Sequence, residues 1–155
     1  MQALGDKTQL INFYLPSALG FLERIMSTTK TTLLAVNGTL MRGLKLNPNL
    51  LNVGGEFVRE DVTDKHYRLW SINDDHPAMI RTIEENNSVD LEIWSLPMEA
   101  FATVLMNEPA GLSIGKVILA DGSEVLGVLG EPSLVEGQRE ITHTGGWRKY
   151  TETLS

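Results

Sequence analysis

The sequence contains no cysteine, and its basic residues are few and dispersed. The absence of cysteine excludes a disulfide framework, a Cys-ligated metal and a cysteine nucleophile. With 13 basic against 20 acidic residues and a net charge of -7, the chain lacks the positive surface that nucleic-acid binding needs. No run of about 18 apolar residues occurs, so no membrane span is predicted. We therefore expect neither a nucleic-acid partner nor membrane insertion, and by default a cytoplasmic location.

Several site motifs are missing as well. His66, His76 and His143 are scattered without the close helical spacing of a zinc site, so no metal is predicted. There is no Gly-x-Ser-x-Gly elbow and no glycine-rich loop ending in Lys-Ser/Thr. The segment from Gly111 to Gly115 lacks the third glycine of a dinucleotide fingerprint and is interpreted as a turn. We therefore predict no cofactor.

What is present fits one globular domain, because 155 residues with 42% hydrophobic content are enough to bury a sizeable core. Near the start, apolar residues recur at helical spacing after Pro16, which predicts a short amphipathic helix from Ser17 to Ile25 with a packing or dimerisation role. The compact domain is predicted to begin near Thr28. The chain is thereby divided into a helical extension, residues 1–27, and a domain, residues 28–155.

The first half of this domain carries strand patterns. Thr32 to Val36 is aliphatic and β-branched, which predicts a buried strand. A second extended segment is predicted to start near Glu56, and His66 to Ile72 alternates with aromatic residues, as in a strand. Asn73 to Pro77, "NDDHP", is predicted to be a loop, since polar turn formers and a proline do not continue a ladder.

The second half mixes strands with one clear helix. Val89 to Pro97 alternates in a way that predicts a strand exposed to water on one side, and its final proline is expected to open a helix. Phe101, Val104 and Leu105 form one face of that helix, which ends near Asn107.

A hairpin and a tail follow. Gly115 to Leu119 and Glu124 to Leu129 flank Ala-Asp-Gly-Ser, a strong hairpin signal. Trp147 and Tyr150 in the tail are expected to pack back on the body. Together these elements predict an α+β domain with a small mixed, mostly antiparallel sheet curled into a barrel, because many short strands need their edges covered.

The strongest candidate for chemistry is the loop of residues 37–43, "NGTLMRG". It follows a buried strand and could present backbone amides and the Thr39 hydroxyl to a small anionic ligand. Arg42 could add a two-pronged contact to a carboxylate, although a solvated arginine on a turn is an equal alternative. Glu108 follows the helix at an end where the helix dipole disfavours a carboxylate, which makes it a candidate for catalysis; the ordinary alternative is a solvated glutamate.

Longer pieces carry a resemblance. The pieces "LAVNGTLMRGLKLN", "YRLWSI", "PAMIR", "VDLEIWSLPMEAF", "EPAGLSIGKVILADGSEVLGVLGE" and "EITHTGGWRKY" follow one another in this order. From about Thr31 to Tyr150 this succession resembles the C-terminal domain of allophanate hydrolases, here without the amidase domain. The resemblance implies the gamma-glutamylcyclotransferase-like fold, a small mixed barrel with helices on its outside.

The resemblance also implies activities. In allophanate hydrolases this domain is held to decarboxylate the amidase product, an N-carboxylated carbamate, and a histidine after the first strand is implicated; here that place reads Leu46-Asn47-Pro48-Asn49. In cyclotransferases a Tyr-Gly-Ser-Leu loop cradles the glutamyl carboxylate, and a glutamate after the inner helix moves the proton. Asn37-Gly38-Thr39-Leu40 matches that loop, and Glu108 falls near the expected glutamate.

We therefore predict a site at the barrel mouth for a small carboxylate-bearing urea, carbamate or gamma-glutamyl compound. Glu108 is its candidate catalytic residue. Two alternatives stay open. One is a cyclotransferase that releases 5-oxoproline, and the other is a non-catalytic accessory protein that binds a separate amidase. Either could form a homodimer. The predicted ligand-binding residues are Asn37, Gly38, Thr39, Leu40, Met41, Arg42, Tyr67 and Arg81.

Overall fold

The computed structural model describes residues 29–155. The helix predicted from Ser17 to Ile25, with the extension of residues 1–27 to which it belongs, lies outside the described residues. The domain boundary near Thr28 therefore stays a prediction.

The described residues form eight β-strands and three α-helices. The strands are β1 (Thr31–Val36), β2 (Glu56–Val62), β3 (Tyr67–Ile72), β4 (His76–Arg81), β5 (Asp90–Pro97), β6 (Leu112–Ile118), β7 (Glu124–Gly130) and β8 (Arg139–Glu140). The helices are α1 (Pro48–Leu51), α2 (Ala100–Met106) and α3 (Trp147–Glu152), and 3₁₀ turns lie at Pro132–Val135 and Thr142–Thr144. The mixed α+β class is thus confirmed.

The strands are arranged in two sheets. The larger has the order β2-β5-β1-β7-β6, in which β1 runs antiparallel to β5 and parallel to β7. The smaller has the order β4-β3-β8 and is antiparallel. The sheets approach closely where β4 crosses β7: a Cβ placed on Gly130 would lie 2.9 Å from the Cβ of Ala78. Side chains of both sheets and of α2 and α3 share one apolar core.

The sheets do not close into a barrel, so that part of the prediction is wrong. Within the described chain, the two edges of the larger sheet meet through a single bridge, Thr63 to Leu119, flanked by hydrogen bonds from Asp64 to Ile118 and from Ala120 to Val62, each 3.0 Å. The first five residues of β2 are exposed. Because closure needs pairing along whole strands, one bridge at the strand ends leaves the sheet open.

Local sequence signals located several elements well. The strand predicted from Thr32 to Val36 is β1, and β2 starts at Glu56 as expected. The predicted hairpin is the antiparallel pair β6–β7, whose turn contains Gly122 at a φ of 84°. Trp147 and Tyr150 are buried, and both lie on α3.

The loop predicted from Asn73 to Pro77 is shorter than expected. The turn itself holds Asn73 and Asp74 at φ values of 51° and 57°, and the Asp75 amide donates to the Ile72 carbonyl at 2.9 Å, as in a type I′ turn. His76 and Pro77 already belong to β4 and pair with β3. Since β4 is the outer strand of its sheet, Pro77 costs no ladder hydrogen bond on the unpaired side.

β5 is also different from its prediction. It lies between β1 and β2, and its residues from 91 to 94 are all buried, so the expected water-exposed face does not exist. Pro97 ends this strand instead of opening α2, and residues 112–115, predicted to be a turn, are the start of β6. On α2, Val104 is buried as predicted whereas Leu105 is exposed. None of the described helices is long and apolar enough to cross a membrane.

Candidate functional site

The segment after β1, residues 37–42, forms a tight loop that we call the cradle loop. Its conformation is fixed by the hydrogen bonds of its carbonyl groups: Met41 N–H donates to the Gly38 carbonyl at 3.0 Å, and Leu46 N–H donates to the Thr39 carbonyl at 2.9 Å. The side chain of Asn47 donates to the Leu40 carbonyl at 2.9 Å. The loop is thus held through its carbonyl oxygens.

Three backbone amides of the same loop have no such partner among the described residues. Gly38, Thr39 and Leu40 donate no backbone hydrogen bond to another described residue. Three successive amides of this kind suit an anionic ligand. A side chain at position 38 would force the Pro77 ring to shift, because its Cβ would lie 2.5 Å from the Cδ and Cγ atoms of Pro77. The glycine therefore permits β4 to pack directly on the cradle loop.

Glu108 stands just beyond the end of α2 and is half-buried. Its Oε1 atom is withdrawn from solvent and has no hydrogen-bond partner, the one buried side-chain polar atom in this condition among residues 29–155. Burial raises the pKa of this carboxyl to about 7. At neutral pH, Glu108 is therefore divided between its acid and its base form.

Glu108 and the cradle loop line one small pocket, so the structure brings together the two features that the sequence singled out. Its volume of about 10 Å³ is close to the room of a single water molecule. The lining residues are Val36, Asn37, Gly38, Thr39, Leu40, His76, Pro77, Glu108, Leu112 and Val128. We call this space the site pocket.

His76 is the polar residue of the site pocket that sequence reasoning missed as a site residue. It is buried, and its Nδ1 lies 3.1 Å from the Pro77 carbonyl oxygen. In the sequence, the spacing of the histidines speaks only against zinc, and "NDDHP" predicts a loop. No local signal places His76 against the cradle loop, because its position depends on the packing of the edge strand β4.

Other predicted binding residues lie elsewhere. The Tyr67 side chain is fully buried and its hydroxyl accepts a hydrogen bond from the Ile118 amide at 2.9 Å, so it serves the packing of β3 against β6. Arg81 is exposed at the end of β4, with its guanidinium 5.9 Å from the Tyr67 ring. Neither lines the site pocket. Met41 and Arg42, at the far end of the cradle loop, do not line the site pocket either.

Arg42 binds two glutamates of the protein itself. Its Nε donates to Glu92 at 3.0 Å and one terminal nitrogen donates to Glu60 at 2.7 Å. The guanidinium also lies 3.6 Å from the centroid of the Phe57 ring. These contacts occupy the side chain that the sequence suggested for a ligand carboxylate.

Glu92, from the middle of β5, is the centre of this cluster. Its side chain is only 3% exposed, and its two oxygens accept from the Arg42 amide at 2.9 Å, the Trp94 indole at 3.0 Å and the Arg148 guanidinium at 3.2 Å besides the Arg42 side chain. Burial by itself would raise the pKa of Glu92. The hydrogen bonds outweigh that effect, so the pKa lies below its usual range and the group is ionised.

A wider cleft of about 580 Å³ lies beside this cluster. Although it is larger than the site pocket, its charged groups are mostly paired with one another: Lys149 contacts Asp90 at 2.6 Å, Arg59 contacts Asp61 at 2.8 Å, and Arg148 contacts Glu92. The buried carboxylate oxygen of the described chain that has no hydrogen-bond partner, Glu108 Oε1, lies in the site pocket instead. The residues that line the wide cleft are Met41, Glu60, Asp61, Val62, Asp90, Leu91, Glu92, Trp147, Arg148, Lys149 and Glu152.

Comparison with known sequences identifies relatives. The family model described as the allophanate hydrolase C-terminal domain matches residues 32–152. The urea amidolyase of Saccharomyces cerevisiae is 31% identical over 128 residues, which cover 78% of this chain and 7% of that protein. The chain thus spans about 7% of the length of the curated relatives that it matches.

Solved structures agree. The protein c4763, specific to uropathogenic E. coli, is 71% identical with a TM-score of 0.78, over 79% of this chain and 97% of its own. The allophanate hydrolase of Kluyveromyces lactis is 26% identical with a TM-score of 0.78, over 84% of this chain and 22% of its own. An aig2-like protein of Mus musculus, 15% identical with a TM-score of 0.51 over 68% and 82% of the two chains, shows the fold alone. These neighbours bear out the gamma-glutamylcyclotransferase-like type of fold.

Proposed function

The chain belongs to the family of the allophanate hydrolase C-terminal domain, and from this premise we propose that it is an enzyme that decarboxylates an N-carboxylated carbamate in the site pocket. Its similarity to urea amidolyase and to allophanate hydrolase supports a role related to urea or allophanate. Because it covers only a small part of those proteins, their overall reactions are not transferred to it.

The observation that carries the proposal is the pairing of Glu108 with the cradle loop in one pocket. Decarboxylation of N-carboxycarbamate needs a group that binds the carboxylate that remains and an acid that protonates nitrogen as CO₂ departs. The amides of Gly38, Thr39 and Leu40 meet the first need. Glu108, with a pKa of about 7, meets the second because a proton donor works best when its pKa is near the working pH.

The chemical step balances with one proton. The protonated Glu108 carboxyl gives its proton to the nitrogen, and the bond between nitrogen and the departing carboxylate carbon breaks. The electron pair of that bond stays on nitrogen, and the carbon leaves as CO₂. Carbamate remains on the cradle amides, and the Glu108 carboxylate regains its proton from water.

Access requires the site pocket to widen, since the substrate is larger than the one water molecule that fits there. One of its walls is built from His76 and Pro77 of the edge strand β4, which carries no ladder on its far side. This wall is where we expect the pocket to open.

The substrate would come from a separate amidase, since the chemistry that forms an N-carboxylated carbamate is amide hydrolysis of allophanate. Relatives such as the Kluyveromyces lactis allophanate hydrolase contain a much longer chain around the matched domain, which makes an amidase a reasonable partner. A homodimer and a cytoplasmic location remain predictions.

The direct test supplies the substrate as it forms. An allophanate-hydrolysing amidase without its own C-terminal domain is mixed with allophanate, and CO₂ release is followed by stopped-flow with a pH indicator and carbonic anhydrase. We expect the protein to accelerate CO₂ release. Glu108→Gln should reduce the acceleration by about 100-fold or more, whereas Glu99→Gln, the same change on an exposed residue before α2, should not.

Two results would contradict the proposal. Equal CO₂ release with and without the protein, together with co-purification with the amidase, would point to the accessory function. Release of 5-oxoproline from gamma-glutamyl amines, lost in Glu108→Gln, would point to the cyclotransferase.

A further inference from the structure

The cradle loop is anchored at its far end by the cluster around Glu92. At its near end the loop is tied by the Asn37 side chain, which donates to the Val128 carbonyl of β7 at 2.9 Å. At the far end, both backbone groups of Arg42 are hydrogen-bonded: its amide donates to Glu92 at 2.9 Å, and its carbonyl accepts from the Arg148 guanidinium of α3. The loop is thus suspended between two sheet-borne anchors.

Burying the Glu92 carboxylate carries an unfavourable desolvation free energy, and an apolar residue would fill this position without it if packing were its only role. A buried carboxylate without partners is strongly unfavourable, and hydrophobic replacement of buried ion pairs is often neutral or stabilising. Here all four donors converge on one carboxylate, two on each oxygen. One of the four is the backbone amide of the cradle loop itself, so the side chain acts on the loop's path directly.

Arg148 joins the same carboxylate to the same loop. It lies on α3 and contacts both the Arg42 carbonyl and Glu92 Oε1, the latter at 3.2 Å. The ionised Glu92 fixes this guanidinium, and the guanidinium in turn fixes the Arg42 carbonyl. A carboxylate in the sheet therefore determines both the amide and the carbonyl orientation of the peptide units at Arg42.

We infer that Glu92 is a positioning residue: through Arg42 and Arg148 it orients the cradle loop so that the amides of residues 38–40 converge on the ligand carboxylate. The ligand part of this inference rests on the proposed function; the effect on the loop does not. Glu92 itself lines the wide cleft and not the site pocket, so it acts without touching the substrate.

The experiment compares Glu92→Gln with Glu60→Gln. Both changes remove a carboxylate that binds the Arg42 guanidinium, but Glu60 is 76% exposed and makes no contact with the loop backbone. Malonate, a stable small dicarboxylate, is the probe, titrated by calorimetry at neutral pH. We expect Glu92→Gln to weaken malonate binding by about tenfold, which corresponds to about 1.4 kcal/mol, and Glu60→Gln to leave it unchanged.

Amide hydrogen exchange supplies a readout that needs no ligand. We expect the amides of Met41, Arg42 and Leu46 to be accelerated in Glu92→Gln by a larger factor than those of Lys116 and Val117 in the β6–β7 hairpin, which report the global loss of stability. Arg148→Gln, which leaves Glu92 paired with Arg42, should shift the same loop amides in the same direction. It serves as the second variant if Glu92→Gln does not fold.

The outcomes separate cleanly. Faster exchange everywhere with unchanged malonate affinity would make Glu92 a structural residue and overturn the inference. Unchanged exchange at the loop amides in both variants would overturn it as well. A wild-type protein that binds no malonate would count against the proposed ligand class, while the exchange data would still decide whether Glu92 positions the loop.

Discussion

Glu92 and Glu108 are both shielded from water, yet the protein surrounds them in opposite ways. Glu92 receives four N–H donors, two of which belong to guanidinium groups, and its pKa is lowered despite its burial. Glu108 receives no partner at its buried oxygen, and its pKa rises to about 7. The first arrangement favours the ionised carboxylate, and the second leaves the carboxyl divided between its acid and base forms near neutral pH. The molecule thus separates the group that holds the loop from the group suited to react.

The largest expected effect breaks the first arrangement. Glu92→Gln removes the charge on which Arg42 and Arg148 depend, and it places an amide N–H against donors. We expect the free energy of unfolding to fall by about 3 kcal/mol or more, at the lower end of the range for broken buried pairs, because the two guanidinium groups are 42% and 44% exposed and can reach water. Urea denaturation at neutral pH measures the change.

Glu60→Gln is the control for this measurement. It touches the same arginine from the exposed side, so its effect should stay below about 1 kcal/mol. Equal losses in the two variants would show that the burial of Glu92 contributes nothing.

The next effect has the opposite sign and depends on pH. Because the folded pKa of Glu108 is raised from 4.5 to about 7, the folded state binds more protons than the unfolded state between these values. Its stability is therefore full below about pH 4.5 and falls as pH rises through 7. Glu108→Gln lacks this loss, so it should match the wild type at about pH 4 and exceed it by about 2 to 3 kcal/mol at about pH 8.

Thermal or urea unfolding across the pH range tests this difference, with Glu99→Gln as the matched control. A constant difference between wild type and Glu108→Gln at all pH values would mean that Glu108 titrates as an ordinary surface carboxyl. The comparison with Glu92 would then lose its second half.

The smallest effect concerns the contact between the cradle loop and β4. Gly38→Ala places a Cβ 2.5 Å from the Pro77 ring, so we expect a loss of about 1 to 2 kcal/mol. Pro77→Ala in the same chain should recover most of it, because the added methyl group then has room. A double-mutant cycle measures the recovery, and purely additive effects would contradict the contact.

Much of the fold could be predicted because its signals are local. The Asp-Gly turn at Gly122 and its alternating flanks specified the β6–β7 hairpin, and the aliphatic run before Asn37 specified β1. The association of the cradle loop with Glu108 was anticipated only through the family resemblance. No local pattern in the sequence connects residues 37–42 with Glu108.

The errors came from features that depend on neighbours in space. Glu92 alternates with apolar residues as an exposed strand position would. It is buried because its strand, β5, lies between β1 and β2. Pro77 disfavours a strand unless that strand is an edge, which sequence alone does not reveal. The prediction of a closed barrel was wrong because closure depends on whether β2 and β6 pair along their lengths, and in the described chain they are joined by one bridge only. His76 reaches the site pocket for the same non-local reason.

α3 has a consequence for the order of assembly. Besides the hold of Arg148 on Arg42, 106 residues apart in sequence, its Tyr150 hydroxyl donates to Asp74 in the β3–β4 turn at 2.6 Å. One helix therefore contacts both the cradle loop and the β3–β4 hairpin, which forms part of the wall of the site pocket. Contacts of such long sequence separation close slowly in folding. The strands of the larger sheet are complete by Gly130, before α3 is synthesised, but we expect the site to mature only after that helix has docked.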